Sequence, residues 1–315
     1  MRVVFMGTPD FAVPSLQTLY DMGQDVVGVF CQPDRPKGRG NKVEFCPVKQ
    51  LAVAHGTPVF QPQRIRKDGA EDLAALKPDL CVTAAFGQIL SQENLDVPKI
   101  GTVNVHASLL PRYRGSAPIN WAIIHGETET GVTTMMTDKG MDTGDILLQR
   151  AVPIPPEATA GDMTDVLKTT GAELLRETLT LIEQGTCPRI PQDPDKATYD
   201  PMLTKELGAL DLNWDAQRLD CLIRGVNPWP GAYITLPDGQ ILKIWTAKPL
   251  TGVTEGQPGD FLKADSKDGL VIRTGSDTAL EVLQMQMPGG KRMSARSFLA
   301  GKKIPVGTIL GEAHE

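Results

Sequence analysis

No apolar run in the 315-residue chain approaches the roughly 20 residues that a membrane-spanning helix requires, so membrane residence is not expected. Paired cysteines are missing too. Cys31, Cys46, Cys81, Cys187 and Cys221 are odd in number and scattered without a Cys-x-x-Cys pair, so they encode neither a disulfide framework nor a thiolate zinc site. Reduced, structural thiols are expected. The stretch from Arg2 to Gly7 is too short for a signal-peptide core and leads straight into Thr8-Pro9-Asp10, so a cytoplasmic location is expected. Glycine is absent where a dinucleotide fold needs it. The first apolar run ends in Gly7-Thr8-Pro9-Asp10-Phe11, without the second and third glycines that let a pyrophosphate approach the backbone, which disfavours a nicotinamide dehydrogenase. The acidic turn from Asp138 to Asp145 lacks the alternating acids and closing glutamate of a calcium loop, and no metal is expected.

Positive charge is also in deficit, at a net -6, which argues against coating nucleic acid through bulk electrostatics. Two stretches run the other way. Residues 35 to 49 hold Arg35, Lys37, Arg39, Lys42 and Lys49 against Glu44 alone, and residues 282 to 311 hold Lys291, Arg292, Arg296, Lys302 and Lys303 with no acid. Either could face a polyanion.

The length exceeds what one hydrophobic core usually organises, so two domains are expected. Over the first 185 or so residues, β-branched runs at 2–6, 25–30, 58–60, 79–84 and 102–106 alternate with helical patterns at 14–22, 47–54 and 69–76. That alternation is the signature of an α/β fold with an open, mostly parallel wound sheet. A helix over 117–125, strands over 132–136 and 146–152, and a long helix over about 162–183 complete it. The apolar face of that last helix is expected to hold Val166, Leu167, Leu174, Leu175, Leu179 and Ile182. Pro188, Pro191, Pro194 and Pro201 follow without apolar periodicity and predict a semi-rigid connector. The expected division is therefore 1–187, a linker at 188–206, and 207–315. In the last part, one helix near 216–224 and short strands between Asp-Gly, Pro-Gly and Gly-Gly turns predict a smaller β-barrel.

In Thr102-Val103-Asn104-Val105-His106 a strand's alternation points Asn104 and His106 to one face. They stand at the C-terminal end of a strand, where open α/β sheets place their ligand crevices. His55 and His125 each precede a glycine at a helix end, and His314 lies in the tail, so His106 is the histidine with a site-like setting. Ser108 to Gly115 is too irregular for a strand and too marked by Pro and Gly for a helix, and predicts a substrate-lining loop. Asp142 lies among flanking glycines that let a turn present its carboxylate. An amide, an imidazole and a carboxylate without a Ser or Cys nucleophile suggest direct attack by a substrate amine on a carbonyl. Asn104 would donate to the oxygen that becomes anionic. His106 would share that role or move the proton, and Asp142 would orient His106, stabilise its charged form and hold a relay water.

Phe5-Met6-Gly7-Thr8-Pro9-Asp10-Phe11-Ala12, Gln32-Pro33-Asp34-Arg35-Pro36-Lys37-Gly38-Arg39-Gly40, the segment Asn104 to Gly115, and Asp142-Thr143-Gly144-Asp145 resemble the 10-formyltetrahydrofolate-dependent formyltransferase family. Gly-Thr-Pro-Asp-Phe and the basic Gly-Arg-Gly loop are similar to those members that act on methionyl-tRNA. The resemblance implies a Rossmann-like formyltransferase domain followed by an OB-like barrel, with a catalytic set at Asn104, His106 and Asp142. It also implies a folate loop at Ser108, Leu109, Leu110 and Pro111. A tRNA-binding set is implied at Lys37, Arg39 and Lys42, with Lys291 and Arg292 on the barrel's basic stretch. The partners it implies are initiator methionyl-tRNA and the folate donor, and a monomer without membrane contact is expected. Formylation of an amino-sugar nucleotide is the alternative acceptor chemistry, and a non-catalytic RNA-binding protein is the alternative class.

Overall fold

The computed structural model describes residues 1–34, 36–37, 42–302 and 304, and two compact units emerge from it. The first comprises residues 1–118, 129–153 and 164–200, and the second comprises 119–128, 154–163 and the chain from Pro201 onward.

In the first unit β1 (Arg2–Gly7), β2 (Asp25–Phe30), β5 (Val59–Phe60), β6 (Leu80–Ala84), β7 (Gly101–His106), β8 (Glu129–Met136) and β9 (Ile146–Pro153) form one sheet. Its strand order is β5-β2-β1-β6-β7-β8-β9. The pairings from β5 to β7 are parallel, and β8 and β9 add antiparallel at the far edge. The mostly parallel wound sheet expected from the alternating pattern is therefore present. A short hairpin of β3 (Pro36–Lys37) and β4 (Lys42–Val43) lies outside it. Helices α1 (Val13–Asp21), α2 (Pro47–Ala54), α3 (Ile65–Asp68), α4 (Ala70–Leu76) and α5 (Gln92–Leu95) fall between the strands. Pro at the first or second position of α1 and α2 costs no hydrogen bond there, which is why both helices begin where they do.

On one side of the sheet Val4, Met6, Phe30 and Cys81 pack with Ile65, Leu73 and Phe86. The long helix α7 (Ala160–Glu183) opens with a reciprocal cap, Thr159 Oγ1 accepting from Asp162 N at 3.2 Å and Asp162 Oδ2 accepting from Thr159 N at 2.9 Å. Leu167, Leu174, Leu175 and Leu179 are buried, each stabilising the fold by about 2 kcal/mol. Val166, read from sequence as part of that face, is 45% exposed. Val166 lies about 100° round the helix from the fully buried Leu167 and falls at the solvent edge of the apolar face. Gly171 explains how closely α7 seats, since a Cβ there would lie 2.9 Å from Val105 Cγ1 on β7.

The second unit is the antiparallel β domain. Its strands β10 (Ala232–Thr235), β11 (Ile241–Thr251), β12 (Phe261–Asp265), β13 (Gly269–Thr274) and β14 (Thr278–Gln286) run in the order β10-β11-β14-β13-β12, with β15 (Met293–Ser294) paired to β14. Helix α8 (Ala216–Gly225), capped by Asp215 accepting from Arg218 N at 2.9 Å, packs Leu219, Leu222 and Ile223 against Leu242, Ile244, Leu280 and Val282. Helix α9 (Ala295–Gly301) adds Ala295 and Leu299 to that core. Most of helix α6 (Pro118–Ile124) belongs here: Asn120 Nδ2 donates to Gly225 O at 2.8 Å, and Arg224 Nη1 to Ala158 O at 3.2 Å. Among the described residues no helix is long and apolar enough to cross a membrane.

Candidate active site

The C-terminal end of β7 carries Asn104 and His106 on one face, as period-two alternation requires, while Val103 and Val105 are buried. Asp142 arrives from the loop between β8 and β9. There Asp138 Oδ1 accepts from Gly140 N at 3.0 Å and Thr143 Oγ1 at 2.6 Å, tying the turn to itself. Gly144 can pass under the strand because it has no side chain, as a Cβ there would overlap the Met136 carbonyl oxygen. The turn holds Asp142 at φ 52°, a left-handed conformation that disfavours every residue except glycine and, less severely, Asn and Asp.

The three groups meet. Asp142 Oδ2 lies 3.7 Å from His106 Nδ1, and Asp142 Oδ1 lies 3.5 Å from Asn104 Nδ2. Gly115 N donates to Asp142 Oδ2 at 2.8 Å, which fixes the carboxylate plane. The side chains of His106 and Asp142 are 7% and 17% exposed, so little water screens their mutual field.

Neighbours set the orientation of each group. Asp142 only accepts, so Asn104 turns Nδ2 to its carboxylate, and Asn104 Oδ1 faces β6, where Thr83 Oγ1 donates to it at 2.9 Å. His106 Nε2 lies 2.9 Å from the Tyr113 carbonyl oxygen, an acceptor only, so Nε2 carries the proton. In the neutral ring the lone pair therefore sits on Nδ1, facing Asp142. When Nδ1 takes a proton, both N–H groups have partners and the positive charge stands beside the carboxylate. An amide N–H, a proton-accepting nitrogen and a carboxylate can thus stabilise a developing oxyanion and move a proton within one crevice.

The loop from Ser108 to Pro111 is tied down by hydrogen bonds and divides its side chains. Ser108 Oγ donates to the Arg112 carbonyl at 2.7 Å, and Leu110 packs against Met135 and Ile146. Leu110 N donates to Thr133 Oγ1 at 3.2 Å, and Leu110 O accepts from Gln149 Nε2 at 2.8 Å. Leu109 and Pro111 remain half-buried. Of the basic residues, Arg39 lies outside the described residues, and Lys37 and Lys42 are register partners on β3 and β4. In the second unit, Lys291 lines an open cleft of about 410 Å³ with Met287, Phe298 and Lys302. Arg292 Nε donates to Gln284 Oε1 at 2.6 Å, and its guanidinium lies 5.2 Å from the Trp245 ring centre.

Sequence reading missed Thr83 and Gln192, which carry no local signal, and placed Tyr113 and Gly115 in the substrate-lining loop without the roles of Tyr113 O and Gly115 N. Gln192 stands in the Pro-rich segment, yet its Nε2 donates to Asp142 O at 2.8 Å and Gly144 O at 2.7 Å. The cysteines are free, but Cys46 differs from a purely structural thiol. A hydrogen bond from Cys31 and the backbone N–H of Lys49 pull Cys46 down to about 6, against the opposing effect of burial. Cys31, donor in that bond and buried, is pushed up. Among the described residues, no group of three or more His, Cys, Asp or Glu side chains is gathered as a metal site would need.

Residues 1–179 match the family Formyl transferase, and residues 202–303 match Formyl transferase, C-terminal domain. These matches define the class, an enzyme that moves formyl groups. The methionyl-tRNA formyltransferase of Caldanaerobacter subterraneus subsp. tengcongensis is 49% identical over 312 residues, 98% of this chain and 100% of that relative. That of Geotalea uraniireducens is 50% identical over 313 residues, 99% of this chain and 98% of the relative. Among solved structures, the N-formyltransferase from Helicobacter canadensis, in complex with folinic acid and dTDP-3-aminofucose, gives a TM-score of 0.66 at 20% identity. It covers 91% of this chain and 99% of its own. HypX from Aquifex aeolicus, in complex with tetrahydrofolic acid, gives 0.62 at 20% identity over 95% of this chain and 47% of its own. At that identity both likenesses speak to the fold. The chain belongs to the formyl transferase family and, within it, to the methionyl-tRNA formyltransferases.

Proposed function

We propose that this protein transfers the formyl group of 10-formyltetrahydrofolate to the α-amine of initiator methionyl-tRNA, acting in the cytoplasm as a monomer and without a metal. The observation that carries the mechanism is the convergence of Asn104 Nδ2 and His106 Nδ1 on the two oxygens of Asp142. The choice of acceptor rests on relatives about half identical over nearly the whole chain, against 20% for the sugar enzyme.

The overall exchange, RNH2 + R′N–CHO → RNH–CHO + R′NH, makes one C–N bond, breaks another and moves one proton from the acceptor to N10 of the folate. A free α-amine titrates near 7.7 to 8.0, roughly, so a useful fraction is neutral and attacks the formyl carbon without metal activation. Asn104 Nδ2 donates to the oxyanion that forms. His106 Nδ1 stands on the same side, sharing that stabilisation or accepting the amine proton, and Asp142 balances the charge and holds a relay water. Leu109 and Pro111 wall the donor, with Ser108 and Leu110 fixing the loop behind them. Residues 1–187 carry the chemistry and 207–315 contact tRNA, with 188–206 joining them. Lys37, Arg39, Lys42, Lys291 and Arg292 meet phosphates, so tRNA affinity falls as salt rises.

The test is transfer of radiolabelled formyl to charged initiator tRNA, run beside a nucleotide-linked amino sugar. Acid-precipitable label on the tRNA alone is the expected result. Label on the sugar alone, or on neither, overturns the reading.

A further inference from the structure

Asp142 holds a backbone conformation that an isolated turn would leave, so something must keep it there. The turn's own bonds run through Asp138, Gly140 and Thr143 and leave the carbonyls of Asp142 and Gly144 to be satisfied from outside. Gln192 Nε2 donates to both, at 2.8 and 2.7 Å. Its amide cannot turn over, because Arg114 Nε and Nη2 both donate to Gln192 Oε1, at 3.1 and 2.8 Å. Arg114 is in turn buried and fixed, with Nη1 donating to the Tyr199 hydroxyl at 2.6 Å and its backbone N donating to Thr198 O at 3.0 Å. The same three-residue stretch supplies Tyr113 O to His106 Nε2 and Gly115 N to Asp142 Oδ2. One guanidinium–amide unit therefore ties the backbone that orients the imidazole to the backbone that presents the acid.

We propose that Gln192 is a positioning residue, an amide clamp between Arg114 and the turn that keeps the Asp142 carboxylate in register with His106 and Asn104. The inference rests on the formyl-transfer reading and deepens it by naming what holds the acid. Gln192 touches no reacting atom, so its effect passes through Asp142.

Gln192→Glu isolates the clamp. It keeps size and the acceptor for Arg114, but sets an oxygen against two carbonyls where a donor stood. A displacement of about 1 Å at a catalytic group costs up to roughly 100-fold in rate, and kcat is expected to fall about 10- to 100-fold with KM for donor and tRNA changed less than about twofold. The decisive readout is a cycle with Asp142→Asn. Because the clamp acts through Asp142, Gln192→Glu should cost less than about twofold in kcat once Asp142 is gone, whereas general damage would be additive. Gln192→Met, which removes donor and acceptor without adding charge, serves if the glutamate variant does not fold, and must show the same non-additivity. Unchanged kcat in a folded Gln192 variant, or full additivity with Asp142→Asn, overturns the clamp. A normal rate in Asp142→Asn alone instead removes the catalytic reading on which the clamp depends.

Discussion

Replacing Thr83 with valine keeps the shape of a buried side chain and removes one hydroxyl, the group that donates to Asn104 Oδ1 at 2.9 Å. Asn104 keeps its place on β7, and its Oδ1 loses the hydrogen bond that holds the amide against β6. What remains is the 3.5 Å approach of Nδ2 to Asp142 Oδ1, which still favours the productive orientation because the flipped amide would set oxygen against carboxylate. The net worth of one neutral hydrogen bond is about 1 kcal/mol, and if all of it appears in the transition state kcat falls about 5-fold. Removing the amide outright with Asn104→Ala deletes an oxyanion donor and should cost about 100-fold or more. Initial rates of formyl transfer at saturating donor and methionyl-tRNA measure both, and thermal unfolding should show a drop of a few degrees, about 2 to 4 °C, for Thr83→Val. A Thr83→Val rate within about twofold of the parent, beside a crippled Asn104→Ala, would refute the idea that β6 orients the amide.

His106→Ala should lower turnover about 100-fold or more while the dissociation constant for methionyl-tRNA stays put, checked by single-turnover rates beside filter binding; a normal rate would remove the ring from the mechanism. Cys46, held down to about 6 chiefly by the Cys31 hydrogen bond, becomes a thiolate as pH rises through that value. Its alkylation by iodoacetamide, followed by mass spectrometry, should reach half its plateau near about 6, and Cys31→Ala should move that midpoint upward. A midpoint near the ordinary thiol value of 9.0 in both proteins would contradict the pairing.

The legible parts of the sequence were those whose cause is local. Alternation along residues 102–106 places Asn104 and His106 together, and glycines around Asp142 announce a turn able to present an acid. That these meet depends on β8 adding antiparallel to β7 and β9 antiparallel to β8, and nothing within Val132 to Met136, a continuously buried run, signals strand direction. Thr83, 21 residues from Asn104, and Gln192, 50 residues from Asp142, act through pairs with no pattern to read. The Pro-rich composition at 188–201 says how the chain is stiffened and is silent on what it touches. Strand β12, a charged run of Phe261 to Asp265 in which only Phe261 is buried, and helix α9 offer too few apolar repeats to be recognised. Likewise, segments 119–128 and 154–163 join the second unit through partners such as Gly225 and Arg224, far along the chain.

On the proposed clamp, the buttress of the acid lies further along the polypeptide than the acid itself. A growing chain that has reached Asp142 already possesses every group named for the reaction, yet the glutamine that steadies the acid is still unmade, and Tyr199, which anchors its arginine, comes later again. Truncation just short of Gln192 would leave a sheet with its full complement of reactive side chains and an unsteady acid. On the proposed clamp, the stretch whose composition reads as a spacer supplies the side chain that holds the Asp142 turn.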